Sequence, residues 1–110
     1  MGALSMFRVA VVACSLTLAV APAHAEQVLR WRAEIEEASR RFGIPTRWIE
    51  RVIRAESGGR TTLNGRPIRS HAGAMGLMQL MPGTWAAMRD AHRLGPDPDA
   101  PRDNILAGTA

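Results

Sequence analysis

The stretch that decides the fold is Thr46-Arg47-Trp48-Ile49-Glu50-Arg51-Val52-Ile53-Arg54-Ala55-Glu56-Ser57-Gly58-Gly59. Trp48, Ile49, Val52 and Ile53 recur at the spacing of one helical face, and the two glycines stop the helix. Counting back in fours from Glu56 gives Val52 and Trp48, with Ile53 and Ile49 one helical step to the side, so the carboxylate continues the apolar stripe. Arg47, Glu50, Arg51 and Arg54 fill the other side. A carboxyl on a buried stripe loses solvent, and at a helix C-terminus it meets the negative end of the macrodipole. Those conditions suit a general acid. A solvated terminal residue is the plainer reading of a Glu beside a Ser-Gly-Gly stop.

Upstream, Glu26–Phe42 reads as one helix whose apolar face is Val28, Leu29, Trp31, Ile35, Ala38 and Phe42. Its opposite side places Glu36 four residues before Arg40 and Glu37 four before Arg41, the favourable order for helical ion pairs. Gly43 stops this helix, and Ile44-Pro45 opens the next. Trp48 is expected in the core.

Downstream, residues 57–72 form a loop in which Asn64-Gly65, flanked by Thr61-Thr62-Leu63 and Arg66-Pro67-Ile68, reads as a small hairpin tip. Gly73-Ala74-Met75-Gly76-Leu77-Met78-Gln79-Leu80-Met81-Pro82 joins small residues to flexible apolar ones around a single uncharged polar side chain, Gln79. It has neither the spacing nor the lysine of a phosphate loop. A helix follows from Gly83 to about Arg93, with Trp85, Met88 and Leu94 inward. Gly95–Pro101 cannot be helical, and Asp103-Asn104 is expected to cap a last helix of fewer than two turns, marginal by itself.

The first 25 residues read as an export signal. Arg8 precedes a 12-residue apolar run, Val9–Val20, and Ala23-His24-Ala25 has the small-x-small form of a cleavage site, so cleavage is expected after Ala25. A membrane span needs about 20 apolar residues, which disfavours an uncleaved anchor. Val11-Val12-Ala13-Cys14 loosely resembles a lipobox, but the apolar run continues past the cysteine. The remainder, Glu26–Ala110, is one small domain with a marginal core. It has no cysteine, and its two histidines, His71 and His92, have none beside them. No metal cluster and no cofactor are expected. Lysine is absent; without Arg8, 13 arginines face 10 carboxylates, an excess that suits an anionic polymer. The arginines are spread along the chain rather than gathered as a nucleic-acid stripe, and the export signal favours a wall polymer over nucleic acid.

Glu56-Ser57-Gly58, then Ser70-x-Ala72-Gly73-Ala74-Met75-Gly76-Leu77-Met78-Gln79-Leu80-Met81-Pro82, then Asp103-Asn104-Ile105 with Gly108, resembles the soluble lytic transglycosylase (SLT) family over roughly Ile44–Ala110. The resemblance implies an all-α, lysozyme-like fold of the goose-type/SLT kind, incomplete at its C-terminus. It also implies cleavage of the bond between N-acetylmuramic acid and N-acetylglucosamine in peptidoglycan. Glu56 would protonate the glycosidic oxygen and then take a proton from the muramic acid C6 hydroxyl, leaving a 1,6-anhydromuramyl end. Ser57, Ser70, Met78 and Gln79 would be substrate-binding, with Ser57 also holding the helix end, Ser70 near the substrate, and Met78 and Gln79 lining the sugar cleft. One carboxylate suffices when the sugar supplies the nucleophile, whereas ordinary glycosidases flank the bond with two. Asp90, Asp97, Asp99 and Asp103 sit in helical or turn contexts and are not expected to be a second.

Two departures stand out. The loop between Ser57 and Ser70 is longer than in the commonest members, and with no tyrosine the family's later Tyr-Asn-Ala-Gly motif is absent. The chain is then a truncated product, one whose missing wall comes from a partner, or one that is not an active enzyme. The expectations that follow are an exported lytic transglycosylase, periplasmic or secreted, with peptidoglycan glycan strands as partner, no nucleic acid and no membrane span after cleavage. A non-catalytic wall-binding module, a remnant unable to fold alone and a lysozyme-type hydrolase remain as alternatives. General wall turnover and a secretion or conjugation machine that must pass the wall are both open as its setting.

Overall fold

The computed structural model describes residues 23–110, with side chains from Glu26 onward; the apolar run of the leader, Cys14 and Arg8 lie outside the described residues. Within them the order is α1 (Ala23–Leu29), α2 (Arg32–Phe42), α3 (Thr46–Glu56), β1 (Thr62–Leu63), β2 (Arg66–Pro67), α4 (Pro82–His92) and α5 (Pro101–Thr109). The core gathers Val28, Ile35, Ala38, Ile49, Ile53, Leu77, Met78, Ile105 and Leu106, with Trp31, Phe42, Ile44 and Leu94 packed at its margin.

The short last helix is the centre of this arrangement. α5 runs nine residues, and Asn104, Ile105, Leu106 and Ala107 are buried in succession, so its middle turn is enclosed all round rather than on one face. Its most extensive packing is against α2, then α4. A helix this short is marginal in water, and burial stabilises it. Pro101 occupies its first turn and Ala100 its N-cap, so the expected Asp103-Asn104 cap is not formed.

The single helix expected over Glu26–Phe42 is broken at Arg30–Trp31. Trp31 leaves helical geometry at φ −100°, ψ 20°, and its indole Nε1 donates to the Gly59 carbonyl at 2.8 Å. The loop after α3 crosses α1 here so closely that a Cβ on Gly59 would lie 2.7 Å from Val28 N. Glycine is therefore required at 59, and the break lets the two backbones meet. Leu29, expected on the apolar face, is left exposed.

The expected pairs Glu36–Arg40 and Glu37–Arg41 are not made either. Arg102 of α5 takes Glu37 instead, its Nε 2.7 and 2.9 Å from the two carboxylate oxygens. Arg41 donates to the His92 carbonyl at 3.2 Å. A helical i,i+4 pair contributes about 0.2–0.5 kcal/mol, too little to compete with a charge-assisted clip from another helix. The Asn64-Gly65 hairpin forms as expected, pairing Thr62 with Pro67 and Leu63 with Arg66. Asn64 at φ 53° and Gly65 at φ 75° give both central residues the positive φ of a type I′ turn.

Candidate functional site

Glu56 is the last residue of α3, and it is exposed. α3 buries Ile49 and Ile53, whereas Trp48 is 58% and Val52 41% exposed. This corrects two expectations: Trp48 is not in the core, and Glu56 does not continue a buried stripe. Both follow from α3 being covered on one side alone, so that Trp48, Val52 and Glu56 line an open face. Desolvation by the protein, on which the acid expectation rested, is not provided by the described residues.

What holds Glu56 in place is the residue after it. Ser57 is buried, and its hydroxyl lies 2.7 Å from the Leu77 carbonyl and 3.1 Å from that of Ile53, while it accepts the Gly59 N–H at 3.2 Å. The backbone N–H groups of Ser57 and Gly58 close back on Ile53 O at 2.9 and 3.0 Å, satisfying the helix end. Ser57 thus ties the carboxylate-bearing end of α3 to the turn containing Leu77.

That turn is closed by reciprocal hydrogen bonds between Met75 and Leu80, 2.8 and 3.0 Å, which leave Gly76-Leu77-Met78-Gln79 as its tip. Gly76 takes φ 74°, and a Cβ there would strike the Asn104 amide. Leu77 and Met78 point inward and are buried. Gln79, half-buried at φ 51°, folds its side chain back so that Nε2 donates to Gly76 O at 2.9 Å. Ser70 is exposed and accepts the Ala74 N–H at 2.9 Å, bracing the approach to the turn.

Asn104 locks the turn from below. It is fully buried; its Oδ1 accepts the Met78 N–H at 2.8 Å, and its Nδ2 donates to Met75 O at 3.0 Å and Pro98 O at 2.9 Å. Sequence reasoning read this residue as a cap and missed its positioning role. Pro101 is the signal that finds it, because a proline in the first turn puts Asn104 inside the helix.

Above this platform lies a cavity of about 130 Å³ bounded by Trp48, Val52, Met78, Gly108 and Thr109. Met78 is thereby brought to the same open face as the helix that carries Glu56. Ser70 and Gln79 are instead engaged within their own loop. Asp99 pairs with Arg69 at 2.5 and 2.7 Å, Asp103 accepts the Gly95 N–H at 3.0 Å, and Asp97 accepts the Asp99 N–H at 2.8 Å. Each of these three carboxylates thus has a structural partner.

Residues 33–110 match the family model described as "Transglycosylase SLT domain". The chain belongs to this family. Its mainly helical architecture agrees with the lysozyme-like SLT domain, and the membership carries a lytic transglycosylase-type, peptidoglycan-related function. Two SLT-domain stretches, Glu56–Gly59 and Met75–Leu80, are held together through Ser57, and a third, at Asn104, underpins the second. Among the described residues no helix is long and apolar enough to cross a membrane.

Proposed function

We propose that this chain is an exported peptidoglycan lytic transglycosylase in which Glu56 is the single general acid and base. Glu56 protonates the glycosidic oxygen between N-acetylmuramic acid and N-acetylglucosamine, then accepts the proton of the muramic acid C6 hydroxyl as that oxygen closes on C1. The products are a 1,6-anhydromuramyl end and a free N-acetylglucosamine end. The observation that carries this reading is the position of Glu56: exposed at the end of an open apolar line through Trp48 and Val52, on a helix end pinned by Ser57 to the Met75–Leu80 turn. A glycan strand lying on that line excludes the water that the protein itself leaves around Glu56. The structural partners of Asp97, Asp99 and Asp103 support a mechanism with one carboxylate, because the nucleophile belongs to the sugar.

Residues 1–25 belong to the proposal as a cleaved leader, which puts the domain Glu26–Ala110 in the periplasm or outside the cell. Cleavage after Ala25 removes the first three residues of α1 and keeps Val28 in the core. N-terminal sequencing of the exported protein tests this; a mature chain beginning elsewhere contradicts it.

Glu56→Gln keeps the shape and removes the transferable proton. It is expected to lower fragment release from purified peptidoglycan at least about 100-fold. Release at the wild-type rate by that variant overturns the role of Glu56. The exposure of Glu56 favours a second reading, a wall-binding module without turnover. It requires sedimentation with peptidoglycan, unchanged by Glu56→Gln and without soluble product.

A further inference from the structure

The outer side of α3 carries Arg47, Arg51 and Arg54, at i, i+4 and i+7 and so on one face, and all three are exposed. None has an ion pair or hydrogen bond among the described residues, whereas Arg69, Arg102, Arg41 and Arg89 each do. Glu50, four residues before Arg54, is not paired with it. Like charges at this spacing repel, so this face keeps an unfavourable interaction that an arriving anion relieves.

Through Arg51 the stripe borders the apolar line of the candidate site. Arg51, together with Trp48 and Val52, lines a hollow of about 290 Å³. From Arg47 to Arg54 the helix rises about 10 Å, parallel to the line from Trp48 to Glu56. A glycan strand on that line bears a peptide stem on the lactyl group of every second sugar, and stems leaving on the outer side bring their carboxylates along the stripe. Guanidinium groups match carboxylates in charge and in their planar, two-pronged geometry.

We infer that Arg47, Arg51 and Arg54 bind the peptide-stem carboxylates of the strand held beside them, so that the domain acts preferentially on stem-bearing rather than denuded glycan; the inference rests on the peptidoglycan reading above. The test uses the whole chain carrying Glu56→Gln, so that binding is read apart from turnover. Its sedimentation is measured with peptidoglycan bearing intact stems and with the same material stripped of stems by an amidase. Adding Arg47→Gln, Arg51→Gln and Arg54→Gln is expected to weaken binding to stem-bearing material about tenfold and to leave binding to stripped material unchanged. The stripped arm also shows that the variant is folded. Arg32→Gln, Arg40→Gln and Arg93→Gln remove the same charge from exposed positions elsewhere and are expected to change neither. Equal weakening by that control set reduces the effect to net charge and overturns the inference. So does equal weakening on stripped material, which places the anion in the lactyl carboxylate that the amidase leaves on the glycan or in another wall polymer. No sedimentation with either preparation removes the peptidoglycan reading itself, and the inference with it.

Discussion

Asn104 and Ser57 set the geometry of the site at the scale of single residues, although neither carries the chemistry. Asn104→Ala leaves the buried Met78 N–H and the Pro98 carbonyl without their partner and takes one of its two donors from the Met75 carbonyl, at a cost of about 2–4 kcal/mol in urea denaturation. A loss below about 0.5 kcal/mol would show that the turn does not depend on this amide. Ser57→Ala removes a single hydroxyl from between α3 and Leu77, and about 1 kcal/mol of stability is expected to go with it. Its larger effect is expected on the rate of fragment release, because the end of α3 is freed; unchanged release at reduced stability contradicts the positioning role. In the sequence Asn104 stood among capping signals; Pro101 places it inside the helix, but nothing local said which way its side chain turns. That orientation is fixed by the Met75–Leu80 turn arriving from 26 residues away.

Whole elements were easier to read than their surroundings. The bounds of α3 and the hairpin follow from local chemistry, a run into glycines and an Asn-Gly tip. Periodicity shows that α3 has apolar columns at Trp48/Val52 and Ile49/Ile53; which column is covered depends on the rest of the chain. Fluorescence checks the outcome. Trp85 is 7% exposed and the Trp31 indole N–H is held by Gly59, so Trp48→Phe is expected to remove most of the iodide-quenchable emission. Quenching that survives the substitution would return Trp48 to the interior. The clip between α2 and α5 gives a pH signature. Hydrogen bonds from Arg102 hold the Glu37 carboxyl below its ordinary value of 4.5. A depressed carboxylate stabilises the fold above its unfolded value and loses that contribution as pH falls through the native one. Glu37→Gln is therefore expected to cost at most about 1 kcal/mol near neutrality, since the pair is half-exposed, and nothing once the pH is well below 4.5. A deficit that grows on acidification contradicts the assignment.

At the scale of the whole molecule, the all-α, lysozyme-like class was legible because Glu56-Ser57-Gly58, Gly76-Leu77-Met78-Gln79 and Asn104-Ile105 occur in order, and the family match over residues 33–110 agrees. The central place of α5 was not legible, because a nine-residue helix with little amphipathicity carries no local sign of being enclosed. Nor was the exposure of Glu56, which depends on what does not pack against α3. In the proposed mechanism Glu56 drives an intramolecular transfer on the strand beside it. The most direct measurement is the mass of the soluble fragments released from purified peptidoglycan by the wild-type chain and by Glu56→Gln. Fragments lighter than the hydrolytic products by one water are expected from the wild type, and none from the variant. Fragments at the hydrolytic mass, or anhydro fragments from Glu56→Gln at the wild-type rate, would contradict the mechanism.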